Sequence, residues 1–198
     1  MEKQWKFRQL IFGVISCFAF LIAFSGISHA AGYTYTSKEY GYSIECPVKP
    51  LGVVPLSVLS PGEKGDILVF ANEGYDIKYA WVIMPDAFEE TSLPDLDKIS
   101  EADAKALFSK MLSNGYAFVS LVHVNGHNGL YAVTSKEIFV GKDKEGKPEK
   151  VETDEQQIKT FLRGKNHRFG IVLMDNPTLV KEHVDAYQSG VLTFKETE

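Results

Sequence analysis

The chain has 198 residues, 44% of them apolar and 24% charged, with a formal net charge of -5. These are globular proportions, which exclude a disordered or collagen-like chain. The acidic balance excludes a nucleic-acid binder or a polybasic membrane-surface protein held by bulk positive charge.

Lys3, Lys6 and Arg8 precede an uncharged, mostly apolar run from Leu10 to Phe24, and Ser28-His29-Ala30 comes next as a small-x-small step. This three-part pattern predicts a signal peptide over residues 1–30, cleaved near Ala30-Ala31. Two rival readings use the same residues. Leu10 to Ile27 is 18 residues without a charge, long enough for an uncleaved anchor. A lipid attached at Cys17 would cut the apolar run short and leave Phe18 to Ile22 just after it.

With the signal removed, 18 basic and 25 acidic residues remain, a net of -7 on 168 residues. That length is one domain, 31–198, with room for its own core. The expected location is extracytoplasmic: secreted, periplasmic or cell-surface. Cys46 is then the sole cysteine, so no internal disulfide can form. Its place at the end of an apolar strand pattern, before Pro47, suits a small buried hydrophobe, with a reactive thiol or an intermolecular disulfide as the alternative.

Strand signals dominate the mature chain. Tyr33 to Ser37 and Tyr42 to Cys46, with a turn at Glu39-Tyr40-Gly41, read as an opening hairpin. Pro47 to Gly65 is rich in proline and glycine and reads as loop, with one short strand or helical turn. Ile67 to Ala71 and Tyr79 to Met84 are apolar on both faces, as in strands covered on both sides; Asn72 to Tyr75 supplies a turn. In the second run Tyr79, Trp81 and Ile83 share one face, expected to be core, with an aromatic-lined groove as the alternative.

Glu101 to Asn114 predicts a helix. Ala104, Leu107, Phe108, Met111 and Leu112 share a face, Ser100 with Asp103 resembles a capping box, and Gly115 closes it. Tyr116 to Val124 and Leu130 to Val140 predict a hairpin across the loop Asn125 to Gly129. Gly141 to Glu155 is charge-rich and reads as a solvated tip. Val151 to Arg163 and Arg168 to Met174 predict another pair around Gly164-Lys165-Asn166. A second helix is expected from Pro177 to Gln188, then a short strand or extended tail over Val191 to Phe194. The sum is an α+β chain: a mostly antiparallel sheet of about six or seven strands with helices on both faces, an α/β/α sandwich.

Recognisable catalytic patterns are missing. Gly41 to Glu45 lacks the second glycine of a nucleophile elbow. No glycine-rich phosphate loop occurs. His123 and His127 have a four-residue spacing, but on a strand entering a loop and without a third ligand, so no metal and no cofactor is expected. Two groups remain as candidate ligand or partner contacts. His123, Asn125 and His127 surround the most distinctive loop. Lys159, Arg163, Lys165 and Arg168 flank one hairpin, with Lys159, Arg163 and Arg168 as its candidate basic face, and alternation puts Lys159 and Arg163 on one face with Phe161 between them.

The opening Tyr35-x5-Gly41-Tyr42-Ser43-Ile44-x2-Pro47 resembles the start of PsbP-like domains, relatives of the extrinsic subunit of the oxygen-evolving photosystem. Their fold is shared with a yeast Ran-binding nuclear import factor. The tail Gly190-Val191-Leu192-Thr193-Phe194 is similar as well. The resemblance implies a non-enzymatic accessory or binding module, and it carries no functional residue over. The expectation is an exported binding or accessory domain of the cell envelope whose partner is an envelope protein or a small ligand. It involves no nucleic acid, and no membrane except through an uncleaved signal segment. A small-molecule or lipid carrier and an extracytoplasmic hydrolase are the alternatives.

Overall fold

Short alternating runs of β-branched and aromatic residues make strands, and each strand's partner is decided by which face it can bury. The structure, a computed structural model, describes residues 32–71, 77–88, 93–142, 148–152, 155–175 and 178–197. The expected signal segment, the turn expected at Asn72 to Tyr75, and Pro177 lie outside the described residues. No helix among the described residues is long and apolar enough to cross a membrane.

The elements run β1 (Tyr33–Ser37), β2 (Tyr42–Cys46), β3 (Gly52–Pro55), a 3-10 turn (Leu56–Val58), β4 (Asp66–Ala71), β5 (Ile77–Met84), α1 (Glu101–Ser113), β6 (Tyr116–Val124), β7 (His127–Thr134), β8 (Glu137–Lys142), β9 (Pro148–Glu152), β10 (Gln157–Arg163), β11 (Arg168–Asp175), α2 (Lys181–Thr193) and β12 (Lys195–Glu196). Seven strands form one sheet in the order β3-β4-β5-β11-β10-β7-β6, every neighbouring pair antiparallel. A separate three-stranded sheet has the order β1-β2-β12, and β8 pairs with β9 alone. The class is α+β with a mainly antiparallel sheet, as the sequence indicates.

Alternation along β7 divides the core. Tyr131 joins a cluster with Tyr42, Ile44 and Cys46 of β2, Trp81, Ile158, Phe169, Ile171, and Tyr187 and Val191 of α2. Its neighbours Leu130 and Ala132 join another with Leu93, Leu96, Val119, and Leu107, Phe108 and Met111 of α1. Trp81, Tyr42, Tyr187 and Phe169 are fully buried. Tyr79, Trp81 and Ile83 belong to the first cluster, so that face is core and not a groove.

α1 is set by its ends. The Ser100 hydroxyl accepts the Asp103 N–H at 3.1 Å and donates to the Asp103 carboxylate at 2.7 Å. Gly115 takes the positive φ (94°) that stops the turn. α2 differs from the expectation: it starts at Lys181 and runs through Val191-Leu192-Thr193. The last strand is Lys195–Glu196 instead. Asp175 anchors the start of α2, accepting the Val180 N–H at 2.7 Å and lying 2.9 Å from His183 Nδ1. Two predicted long strands are each broken. Leu130 to Val140 divides at Ser135-Lys136 into β7 and β8, and Val151 falls in β9. The charge-rich stretch is therefore shared by β8 and β9, which pair antiparallel with each other, and residues 143–147 and 153–154 lie outside the described residues.

Candidate functional site

β7 and β10 are neighbours, with Leu130 opposite Phe161, so the turns at their ends lie side by side. The β6–β7 turn is Asn125-Gly126 alone, with φ of 51° and 83°. A two-residue hairpin turn of this kind needs positive φ at both positions, which Asn and Gly tolerate best. The five-residue loop expected from the sequence is thus a two-residue turn: His127, Asn128 and Gly129 belong to β7. Gly129 fits there because a Cβ would lie 2.5 Å from the Leu162 side chain and 2.8 Å from the Phe161 carbonyl oxygen.

The chain end crosses both turns. The Asn125 side-chain amide donates to the Phe194 carbonyl. The Glu196 carboxylate accepts the Asn166 N–H at 3.0 Å and the His167 N–H at 3.1 Å. Between these segments lies a cleft of about 300 Å³. Val124, Asn125, His127 and Asn128 form one wall; Leu162 to Lys165 form the second; Phe194, Lys195 and Glu196 form the third.

The two sequence-derived groups therefore meet in part. Asn125, His127 and Arg163 line the cleft; His123, Lys159 and Arg168 do not. His123 is exposed on β6, its Nδ1 3.1 Å from Asn128 Oδ1. His127 Nδ1 lies 2.8 Å from Asp97. Asp97 also accepts the Asn128 N–H at 2.6 Å. That backbone donor first, and the His127 ring second, hold the Asp97 carboxyl below its ordinary range. Among the described residues, no group of three or more His, Cys, Asp or Glu side chains could hold a metal ion.

Lys159 and Arg163 do share a face with Phe161, but that face is packed. Phe161 meets Phe88 edge-on at 5.8 Å. Arg163 donates to the Leu93 carbonyl at 2.7 Å. Lys159 is half-buried, and burial lowers its ammonium pKa. Arg168 stands opposite Arg163 in the ladder, half-buried, and its carbonyl accepts the Ala87 N–H at 2.9 Å. Cys46 is buried, and desolvation pushes its thiol up to about 12, which removes the thiolate a nucleophile needs.

The sequence reading misses Asp97, Asn128, Phe194, Lys195 and Glu196. Glu196 reaches a turn 30 residues away, and no local pattern encodes that contact. Chemically, the cleft lining includes Lys165, Lys195 and the His127 imidazole, which also meets Asp97, together with one carboxylate, Glu196, whose oxygens hold two backbone amides; the Arg163 guanidinium is bonded to the Leu93 carbonyl. No protein-family model matches the chain, and no curated protein matches it in sequence.

Proposed function

We propose that the chain is an exported, non-enzymatic binding or accessory domain of the cell envelope, and that its cleft takes a negatively charged group. The ligand is a small anion or an acidic group on an envelope protein. One observation carries this reading. Lys165 and Lys195 line a single cleft with His127, Asn125 and Asn128, and its one carboxylate, Glu196, is already engaged by two backbone amides. The cleft lining offers cations, amides and an imidazole, but no serine, threonine or cysteine. At about 300 Å³ it lies at the bottom of the range for small-molecule pockets, which favours a headgroup- or side-chain-sized anion over a whole lipid.

The fold proposed with this function is an α/β/α sandwich of the PsbP-like kind, delivered by a cleaved signal over residues 1–30. Alternation along β7 supports the layering. Leu130 and Ala132 belong to the cluster of α1 and Tyr131 to that of α2, and successive side chains point to opposite faces.

Titration with inorganic phosphate, followed by amide chemical shifts, tests the site. Shifts should concentrate at Asn125 to Asn128 and Gly164 to His167. Lys195→Glu should weaken binding by about tenfold, the scale of one charge-assisted contact. Shifts scattered over the surface, or unaffected by Lys195→Glu, would overturn the assignment.

A further inference from the structure

The two edges of the seven-stranded sheet are unlike. β3, at one edge, has four residues and ends in Pro55, a short and proline-guarded edge. β6, at the other, has nine residues, and Tyr116 to Val124 include no Asp, Glu, Lys, Arg or Pro. The two-residue turn fixes which of its backbone groups face outward. Val124 and His127 flank the turn and exchange hydrogen bonds, so Val122, Ser120 and Phe118 bond inward to Gly129, Tyr131 and Val133. The N–H and C=O groups of Val119, Leu121 and His123 then point away from β7. No strand among the described residues pairs with them. α1 packs on this same strand through Leu107, Phe108 and Met111. Yet none of its 13 residues is buried, and Leu112 is 48% exposed.

We propose that β6 pairs antiparallel with β6 of a second copy, joining two sheets across a two-fold axis. Ser120, the middle residue of the strand, falls on the axis. Val119 stands opposite Leu121 of the second copy, and both carry outward-facing groups, so each pair exchanges two hydrogen bonds. Charge permits a second copy at this place: two chains of like net charge repel, but β6 carries no formal charge that would add to that repulsion at the contact. The area suffices. Nine residues span roughly 30 Å, and a layer of about 10 Å on each side gives on the order of 1,200 Å² in total, within the range of stable interfaces. The α1 helices of the two copies meet above the joined strands and cover the apolar side chains that one copy leaves half-exposed. Because the β3 edge is guarded, the assembly closes at two and does not grow into a filament.

Sedimentation and amide exchange on the full chain, in the form its host accumulates, test this. A dimer is expected at about 100 μM, in the concentration range where even modest affinities show. Exchange at Val119, Leu121 and His123 should be slowed about 100-fold there and lose that protection on dilution, while Val122 keeps its own. Ala117 and His123 are exposed, and across the axis His123 meets the Tyr116 to Phe118 segment, where β6 shifts register, so Ala117→Lys with His123→Lys brings like charges close and should give a monomer. A monomer at high concentration with fast exchange at the three amides sinks the proposal. So does a dimer whose three amides stay unprotected, or a folded double variant that remains dimeric. Should the double variant fail to fold, the exchange pattern of the unaltered chain decides alone.

Discussion

Gly190 lies inside α2, where alanine would be the better helix former by about 1 kcal/mol. Its surroundings reverse that preference. A Cβ there would lie 2.6 Å from the Trp81 ring and 2.8 Å from the Glu45 carbonyl oxygen, and Trp81 is fully buried. Overpacking of this kind costs about 1–3 kcal/mol, more than the propensity gain. Net of the propensity gain, Gly190→Ala should lower Tm by up to about 8 °C in a thermal melt, at 2–4 °C per kcal/mol for a domain of this size; a higher Tm would contradict the close approach. Lys159 makes the opposite case. Its ammonium is half-buried beside Phe161, and desolvation lowers its pKa. With the folded value below the unfolded one, the native state carries a penalty while the group is charged. Stability then rises with pH through the folded value, and the penalty vanishes above the ordinary lysine value of about 10.4. Lys159→Met should raise Tm at neutral pH, and the gain over the parent should narrow as melts approach pH 10.

The β6–β7 hairpin shows what local sequence can and cannot encode in an element. Asn125 serves twice: it holds a φ of 51°, and its side-chain amide donates to the Phe194 carbonyl. Two variants separate the roles. Asn125→Gly keeps the turn and loses only the contact with the chain end, at about 0.5–1.5 kcal/mol. Asn125→Ala also adds the strain of a left-handed alanine, about 1 kcal/mol more. Denaturant midpoints should rank parent, glycine variant, alanine variant, with equal slopes; an alanine variant as stable as the glycine one would argue against the turn geometry. The Asn-Gly step announced this turn, but the polar His127-Asn128-Gly129 next to it reads as loop too. Those residues are in strand because Asp97 takes His127 and the Asn128 N–H, and because Leu162 leaves no room for a Cβ at Gly129. These are long-range facts. The opening hairpin, α1 with its Ser100 cap, and the two-sided apolar strands were legible because each rests on neighbours a few residues apart. The division of the strands among three sheets, and the third wall of the cleft, were not, because partner choice depends on contacts made only after folding.

At the scale of the whole molecule, Tyr42 ties the three-stranded sheet to the seven-stranded one. It is fully buried on β2, its ring 5.6 Å from Phe194 beyond α2 and 5.9 Å from Phe169 on β11. Its hydroxyl donates to the buried Asp66 carboxylate of β4 at 2.6 Å. Burial first, and then the bond to Asp66, push the phenol far above its ordinary range, so it remains a neutral donor at any working pH. Tyr42→Phe keeps the ring contacts and removes this donor from a carboxylate that is 7% exposed. A hydrogen bond to a charged group contributes about 1.5–3 kcal/mol, so Tm should fall by roughly 3–12 °C. The form of the transition matters more than its midpoint. Because Tyr42, Phe169, Phe194 and Trp81 share one cluster, the small sheet has no core of its own to retain when the large one opens. Far-UV circular dichroism and Trp81 fluorescence should move to lower temperature together and stay coincident, as a two-state domain requires. An earlier loss of far-UV signal with Trp81 still buried would mean that β1, β2 and β12 detach as a unit. Since β12 carries Lys195 and Glu196, such detachment would also dismantle the cleft before the main sheet unfolds, and anion binding would then fail below the Tm of the Tyr42→Phe variant.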